Sequence, residues 1–119
     1  KIIQSNDLWE NVKRLADFMS DNLLSNIVIL DVSSESVFFH YFIIATGMTS
    51  QHLQSSSASI ARFLKDNDIK TNHKEGVSSG GWMLLDSPGI TVHLFLEIQR
   101  DRYGLEDFWS TSKEILRLI

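Results

Sequence analysis

The side chains that could carry chemistry in this sequence are isolated histidines and carboxylates, since there is no cysteine. The four histidines lack the i, i+4 or carboxylate-paired spacing of zinc and iron sites. Asp31 stands alone among aliphatic residues, and residues 27–46 contain no Asp-x-Asp pair that could bind two Mg²⁺ ions. No Gly-x-Ser-x-Gly nucleophile motif occurs either. The residue types therefore predict a protein that has no catalytic residues, metal or cofactor and is not an enzyme.

One short turn, Thr46-Gly47-Met48-Thr49-Ser50, joins a predicted strand to a predicted helix. Backbone N–H groups at such a helix start could bind a phosphate. The turn lacks the glycine spacing and the following lysine of known nucleotide-binding loops. An ordinary helix cap by Thr49 or Ser50 explains it better.

The segment 81–109 carries the strongest local pattern, a hairpin followed by an acidic, aromatic stretch. Its Ser87-Pro88-Gly89-Ile90 sequence suits a type II turn, because proline fixes φ at the second position and glycine accepts a positive φ at the third. Pairing Ser87 with Ile90 sets the register of the two strands. The predicted pairs are then Leu85 with Val92, Met83 with Leu94, Leu84 with His93, and Trp82 with Phe95.

This register gives the hairpin two different faces, because side chains alternate along a strand. One face is aliphatic. The other carries Trp82, Leu84, His93 and Phe95, edged by Asp86 and Glu97. Aromatic and mixed composition of this kind is typical of an interface. The alternative is that a flanking helix buries Trp82 and Phe95 as ordinary core.

Hydrophobic periodicity predicts the elements that must position this hairpin, in the order α-β-β-α-β-β-β-α. A first helix is predicted over 7–24 and a second from Thr49 or Ser50 to about residue 66. Strands are predicted at 27–32, 38–46 and 69–74, the first two joined by a polar turn at 33–36. The inward positions of the first helix are Leu8, Val12, Leu15, Met19 and Leu23, and a final helix is indicated by Leu105, Phe108, Ser112, Ile115 and Ile119. The prediction is one α/β domain over residues 1–119, with a mixed β-sheet and flanking helices.

Composition narrows the range of partners. The chain has 119 residues, a net charge of −4 and a hydrophobic fraction of 43%. An acidic chain is poorly suited to bind nucleic acid generally, so no sequence-specific nucleic acid is expected, and a basic protein is the easier partner. No apolar run approaches the roughly 20 residues that a membrane helix needs. A soluble globular protein without a membrane partner is therefore expected.

Several separated motifs together resemble the ribosomal silencing factor family, also called Iojap-like proteins. The resemblance spans most of the chain. It runs through Ile27-Val28-Ile29-Leu30-Asp31-Val32, Tyr41-Phe42-Ile43-Ile44-Ala45-Thr46-Gly47 with Ser50 and His52, Glu75-Gly76, Trp82, Leu85-Asp86, Val92-His93-Leu94-Phe95, and Arg102-Tyr103-Gly104-Leu105-Glu106 with Trp109. One departure is His40, where the family usually has an aspartate.

The resemblance implies a nucleotidyltransferase-like topology without the catalytic carboxylates. It also implies binding to the large ribosomal subunit through its protein L-fourteen, which sterically blocks joining of the small subunit and represses translation. Trp82 matches the family's hairpin tryptophan, and His93 matches the histidine of the last strand. Combined with the hairpin face, the predicted partner-binding residues are Trp82, Leu84, Asp86, His93, Phe95, Tyr103, Leu105, Glu106 and Trp109. Trp109 has the alternative role of anchoring the last helix on the sheet.

Two other functions remain as alternatives at this point: a residual nucleotide-binding or transferase enzyme, and a homodimeric scaffold with another basic protein partner. A homodimer of the free protein is compatible with the first function as well. The expected location is the bacterial cytoplasm, with the mitochondrial matrix or the plastid as alternatives.

Overall fold

The computed structural model describes residues 5–32, 40–104 and 113–118. Its helices are α1 (Ser5–Asp21), α2 (Ser50–Asp66) and α3 (Glu97–Tyr103), and a short 3₁₀ turn spans Ser78–Gly80. Its strands are β1 (Ser25–Asp31), β2 (Tyr41–Gly47), β3 (His73–Val77), β4 (Trp82–Ser87), β5 (Ile90–Leu96) and β6 (Lys113–Leu118). The predicted α/β class, with a mixed sheet and flanking helices, is confirmed.

The six described strands form one sheet in the order β3-β4-β5-β2-β1-β6. Strands β2 and β5 pair in parallel, and the other neighbouring strands pair antiparallel. The parallel pair requires a crossover, which α2 and the β3-β4 hairpin provide. This crossover places β5 beside β2 in the middle of the sheet.

Helices α1 and α2 cover one face of the sheet, which we call the inner face. The main core cluster lies there and joins both helices to β1, β2, β4 and β5. The opposite face, which we call the outer face, has a smaller cluster of Val28, Leu30, Ile44 and Phe95, against which Trp82 packs. Most of the apolar burial therefore lies on the inner face of the sheet, and the outer face has a smaller buried cluster.

Local capping interactions explain where α2 begins and where α1 ends. Thr49, one of the two predicted candidates, is the N-cap of α2, and its side-chain oxygen accepts a hydrogen bond from the N–H of His52 at 3.0 Å. The helix-cap interpretation of the Thr46–Ser50 turn is thus the one that the structure supports. The prediction for Leu23 is wrong, because α1 ends at Asp21 and Leu23 is 67% exposed with φ at +66°. Leu24 is buried in its place, and its N–H donates to the carbonyl of Met19 at 3.1 Å.

The strand predicted at 69–74 is displaced in the structure. Ile69 belongs to the C-terminal cap of α2, where its N–H donates to the carbonyl of Leu64 at 2.8 Å and its side chain is buried. Pairing with β4 begins only at His73, opposite Asp86, and continues to Val77. The apolar residue that suggested a strand is used to close a helix instead.

The predicted final helix is also wrong in the part that the structure describes. Ile115 lies in strand β6, which pairs antiparallel with β1 from Asp31↔Lys113 to Ile27↔Leu118. Residues 105–112, which include Leu105, Phe108 and Ser112, and residue 119 lie outside the described residues. The helix that follows β5 is the shorter α3, which begins at Glu97 and ends at Tyr103.

Candidate interaction surface

The β4-β5 hairpin has the predicted register. Ser87 pairs with Ile90, and Gly89 between them has φ at +80°, as the third position of a type II turn requires. The remaining pairs match the prediction: Asp86↔Thr91, Leu85↔Val92, Leu84↔His93, Met83↔Leu94 and Trp82↔Phe95. Two local residues, a proline and a glycine, were enough to set the faces of both strands.

The two faces differ in exposure as well as in composition. Leu85, Val92 and Leu94 are fully buried on the inner face. On the outer face Trp82 and Leu84 are half-buried, whereas Phe95 is 1% exposed and His93 is 6% exposed. Of these four residues, all predicted to bind a partner, two are therefore partly accessible and two are buried.

Tyr103 at the end of α3 extends the accessible part of this surface. Its ring centroid lies 5.9 Å from that of Trp82 and 5.4 Å from that of Phe95, while the residue is 58% exposed. The buried Phe95 thus contacts Tyr103 and belongs to the cluster against which Trp82 packs. We call the surface formed by Trp82, Leu84 and Tyr103 the aromatic patch.

His93 is a packing group in this structure. Its ring lies 5.0 Å from that of Phe42 and is stacked 6.2 Å from that of Phe95, with an interplanar angle of 6°. Neither ring nitrogen has a hydrogen-bond partner among the described residues. Burial lowers the pKa of His93 to about 4, although the Asp86 carboxylate acts in the opposite direction. The imidazole is therefore neutral at physiological pH.

Asp86 sits at one end of the outer face in a chain of hydrogen bonds. The Thr91 hydroxyl donates to Asp86 Oδ1 at 2.9 Å, and His40 Nε2 lies 2.7 Å from the same hydroxyl oxygen. Burial lowers the pKa of His40, and the Asp86 carboxylate again opposes this effect. His40, the departure from the family pattern, thus helps to hold Asp86 in place.

Asp31 and Asp86 lie on opposite faces of the sheet. Asp31 follows Ile29 on the inner face by strand alternation, and Asp86 follows Leu84 on the outer face. The two carboxylates therefore cannot share a metal ion. Within residues 5–32, 40–104 and 113–118 there is no group of three or more His, Asp or Glu side chains arranged to hold a metal. No helix in the described part of the chain is long and apolar enough to cross a membrane.

The remaining predicted contacts, Leu105, Glu106 and Trp109, lie outside the described residues. One residue that hydrophobic patterning did not indicate is Arg100, which is buried in α3. The sequence does contain start and stop signals for a helix around Arg100. These are Glu97 in the first turn, basic residues in the last turn, and Gly104 directly after the helix. Those features place a short helix at 97–103 and hence an arginine on it.

The fold and the surface together define a class of small α/β domain, in which helices cover one face of a mixed sheet and the other face presents aromatic side chains edged by a carboxylate. Residues 5–118 match the family model described as ribosomal silencing factor during starvation. The chain belongs to the ribosomal silencing factor family.

Relatives of known name agree with this assignment. The ribosomal silencing factor of Chromobacterium violaceum is 30% identical over 107 residues, which cover 90% of this chain and 88% of that protein. The chloroplastic protein Iojap of Arabidopsis thaliana is 31% identical over 101 residues, covering 85% of this chain but 42% of the relative. A mouse relative, 22% identical over 103 residues (84% of this chain and 45% of its own length), is named for mitochondrial assembly of the ribosomal large subunit.

Solved structures show the same fold. A crystal structure from Chromobacterium violaceum superposes with a TM-score of 0.78 at 29% identity and covers 87% of this chain and 86% of its own. A crystal structure from Bacillus halodurans gives a TM-score of 0.74 at 22% identity and covers 90% of this chain and 98% of its own.

Proposed function

We propose that this protein represses translation by binding the large ribosomal subunit through its protein L-fourteen and sterically blocking the joining of the small subunit. Membership of the ribosomal silencing factor family supports a role on the ribosome. The aromatic patch supplies the means of binding. The single observation that carries the proposal is the pairing of Trp82 with a Tyr103 that is 58% exposed, on the sheet face opposite α1 and α2.

The energetics of interfaces favour this patch as the contact. Tryptophan and tyrosine are enriched among the few residues that carry most of the binding energy of an interface. Here Tyr103 contacts the buried Phe95 and Trp82 packs against the cluster that contains Phe95, so both rings are partly held in place before a partner covers them. Leu84, on the same strand as Trp82, continues the apolar surface toward Asp86.

Carboxylates surround this patch and suit a basic partner. Asp86 lies at one end of the outer face, and Glu97 and Asp101 are exposed on α3 at the other end. Charges at the rim of an interface steer the encounter more than they hold the complex. We place Leu105, Glu106 and Trp109 in the same contact, following the family resemblance, together with the buried His93 and Phe95 as its support.

The same observations favour a binding protein over an enzyme. The Thr46–Ser50 turn, which could have held a phosphate, is used to cap α2. Asp31 and Asp86, which could have formed a metal site, face opposite sides of the sheet. These two observations count against the nucleotide-binding alternative.

Residues 1–119 are proposed to act as one domain. The bacterial relatives favour the bacterial cytoplasm as its location, and the chloroplastic and mitochondrial relatives keep the plastid and the mitochondrial matrix as alternatives. A homodimer of the free protein would be compatible with the proposal if the aromatic patch becomes available on the ribosome.

Sedimentation with separated ribosomal subunits tests the proposal directly. The purified protein should pellet with the large subunit and stay in the supernatant with the small subunit. Adding it to an equimolar mixture of subunits should lower the fraction of joined ribosomes. Binding to the small subunit alone, or unchanged subunit joining at saturating protein, would overturn the proposal.

A further inference from the structure

Helix α3 is short and holds few apolar contacts of its own. It has seven residues, well below the length at which an isolated helix is stable in water. Of these seven, all of which the structure describes, Arg100 alone is buried, with 5% exposure. Ile98, which would be the natural apolar anchor, is 66% exposed. The attachment of α3 therefore includes the polar contacts of Arg100 and the ring of Tyr103, besides the side chain of Gln99 against Gly81.

Arg100 reaches across the end of the sheet to two strands. Its Nη1 donates to the backbone carbonyl of Asn26 at 2.6 Å and to Thr46 Oγ1 at 3.0 Å. Asn26 has φ at +50° and lies where the β1-β2 register shifts, so its carbonyl is available to a side chain. One guanidinium thus ties α3 to both β1 and β2.

Arg100 and Tyr103 are three residues apart on one helix, so they lie on the same side of it. Anchoring Arg100 on β1 and β2 fixes the rotation of α3 about its axis. That rotation sets Tyr103 over Phe95 and against Trp82. The position of the most exposed ring of the aromatic patch is therefore linked to the contacts that Arg100 makes with β1 and β2.

We infer that Arg100 is a positioning residue of the interaction surface: it holds α3 on the ends of β1 and β2 and so presents Tyr103 beside Trp82. The binding part of this inference rests on the proposed function. The structural part does not, and it can be measured on the free protein.

Amide hydrogen exchange on the free protein tests the structural part. Arg100→Met keeps the aliphatic stem and removes the donors, so the amides of α3 should exchange about tenfold faster while those of β2 and β5 keep their rates. Thr46→Val, which removes one acceptor and keeps the shape, should act in the same direction with a smaller effect. Arg102→Met, which removes an exposed cation from the same helix, is the matched control and should leave α3 unchanged.

A double-mutant cycle on large-subunit binding tests whether Arg100 acts through Tyr103. Arg100→Met should weaken binding about tenfold, by leaving Tyr103 to be ordered at the moment of binding. In the Tyr103→Ala background the same change should have little further effect. Arg100→Lys, which retains one donor group, should recover part of the loss.

The outcomes separate the two proposals. Amide exchange rates of α3 that are equal in wild type, Arg100→Met and Thr46→Val would overturn the inference, whatever the result of the large-subunit binding measurements. If Arg100→Met does not fold, Thr46→Val decides the same question. Additive effects of Arg100→Met and Tyr103→Ala on binding would also overturn it. A wild-type protein that fails to bind the large subunit would overturn the proposed function, and the exchange measurement would still test the role of Arg100.

Discussion

Trp82 and Leu94 lie on adjacent strands of one hairpin but on opposite faces of the sheet, which allows binding and stability to be changed separately. Trp82 is half-buried on the outer face, and Leu94 is fully buried on the inner face. Trp82→Ala should weaken large-subunit binding by about 2 kcal/mol or more, which is some thirtyfold in Kd. Leu94→Ala should instead lower the free energy of unfolding by about 2–5 kcal/mol.

Thermal midpoints and large-subunit affinity, measured side by side for wild type and both variants, check this expectation. Trp82→Ala should remain folded. A Trp82→Ala protein that binds normally would remove Trp82 from the interface. If that variant melts as early as Leu94→Ala, the tryptophan acts as core, and the alternative raised by its sequence context is correct.

His93 predicts how stability depends on pH. Its pKa is about 4 in the folded protein, against an ordinary value of 6.5 in an unfolded chain, because burial disfavours the charged ring. Between these two values the unfolded chain binds a proton that the folded chain does not. The free energy of unfolding should therefore fall as the pH drops from about 6.5 toward 4, by roughly 3 kcal/mol if this residue alone is counted.

Denaturant unfolding at pH 7.5, 6, 5 and 4 measures this slope. His93→Leu should be at least as stable as wild type at neutral pH, since it removes two buried nitrogens without partners among the described residues, and its profile should be flatter. His40→Gln is the comparison variant. Burial lowers the pKa of His40 as well, so this variant shows how much of the pH dependence comes from His40 rather than His93. If the free energy of unfolding of His93→Leu falls with decreasing pH as steeply as that of wild type, His93 is not the cause of the pH dependence.

At the scale of elements, the residue that follows α1 has a strained backbone conformation that a substitution can relieve. Leu23 occupies the left-handed position after the helix, with φ at +66° and 67% exposure, where glycine is the favoured residue. Leu23→Gly should raise the free energy of unfolding by about 0.5–1 kcal/mol, since little apolar burial is lost and the left-handed strain is relieved. Leu24→Gly, at the buried neighbouring position, should destabilise the protein in the same denaturant assay. A destabilised Leu23→Gly would show that this side chain contributes contacts.

The charges of α3 should affect the rate of association. Glu97 and Asp101 are exposed on this helix beside the aromatic patch. The Glu97→Lys/Asp101→Lys variant should bind the large subunit with a lower association rate constant and a nearly unchanged dissociation rate constant. Wild-type association should slow as salt is raised, because a Debye length of about 10 Å at 0.1 M shortens further. Association rates that do not change with ionic strength would exclude an electrostatic contribution.

The accuracy of sequence-based prediction varied among elements for physical reasons. The hairpin register was predictable because Pro88 and Gly89 specify a turn through local sterics alone. The cap of α2 at Thr49 was equally local. Strand β6 was not, because the apolar spacing around Ile115 suits a helix, and only pairing with the distant β1 makes it a strand. For the site, alternation gave the correct face, but it could not show that His93 and Phe95 are buried while Trp82 and Tyr103 are accessible.

At the scale of the whole molecule, the arrangement of carboxylates predicts an absence of metal-dependent nucleotidyl transfer. Asp31 and Asp86 face opposite sides of the sheet, with β2 and β5 between their strands. Incubation with nucleoside triphosphates and Mg²⁺ or Mn²⁺ should give product only at the background rate. Steady turnover that disappears in Asp31→Asn or Asp86→Asn would show that a catalytic site had been overlooked.

The pairing of β1 with β6 has a consequence for synthesis of the chain. β1 and β2 are made early and can pair at once, but the other edge of β1 gains its partner only when residues 113–118 have been translated. Until then, the nascent sheet presents the backbone N–H and C=O groups of a strand rich in isoleucine and valine. Such an open edge is the kind of template on which incomplete chains associate. Chains interrupted before β6 should therefore be recognised by chaperones and proteases as unfinished.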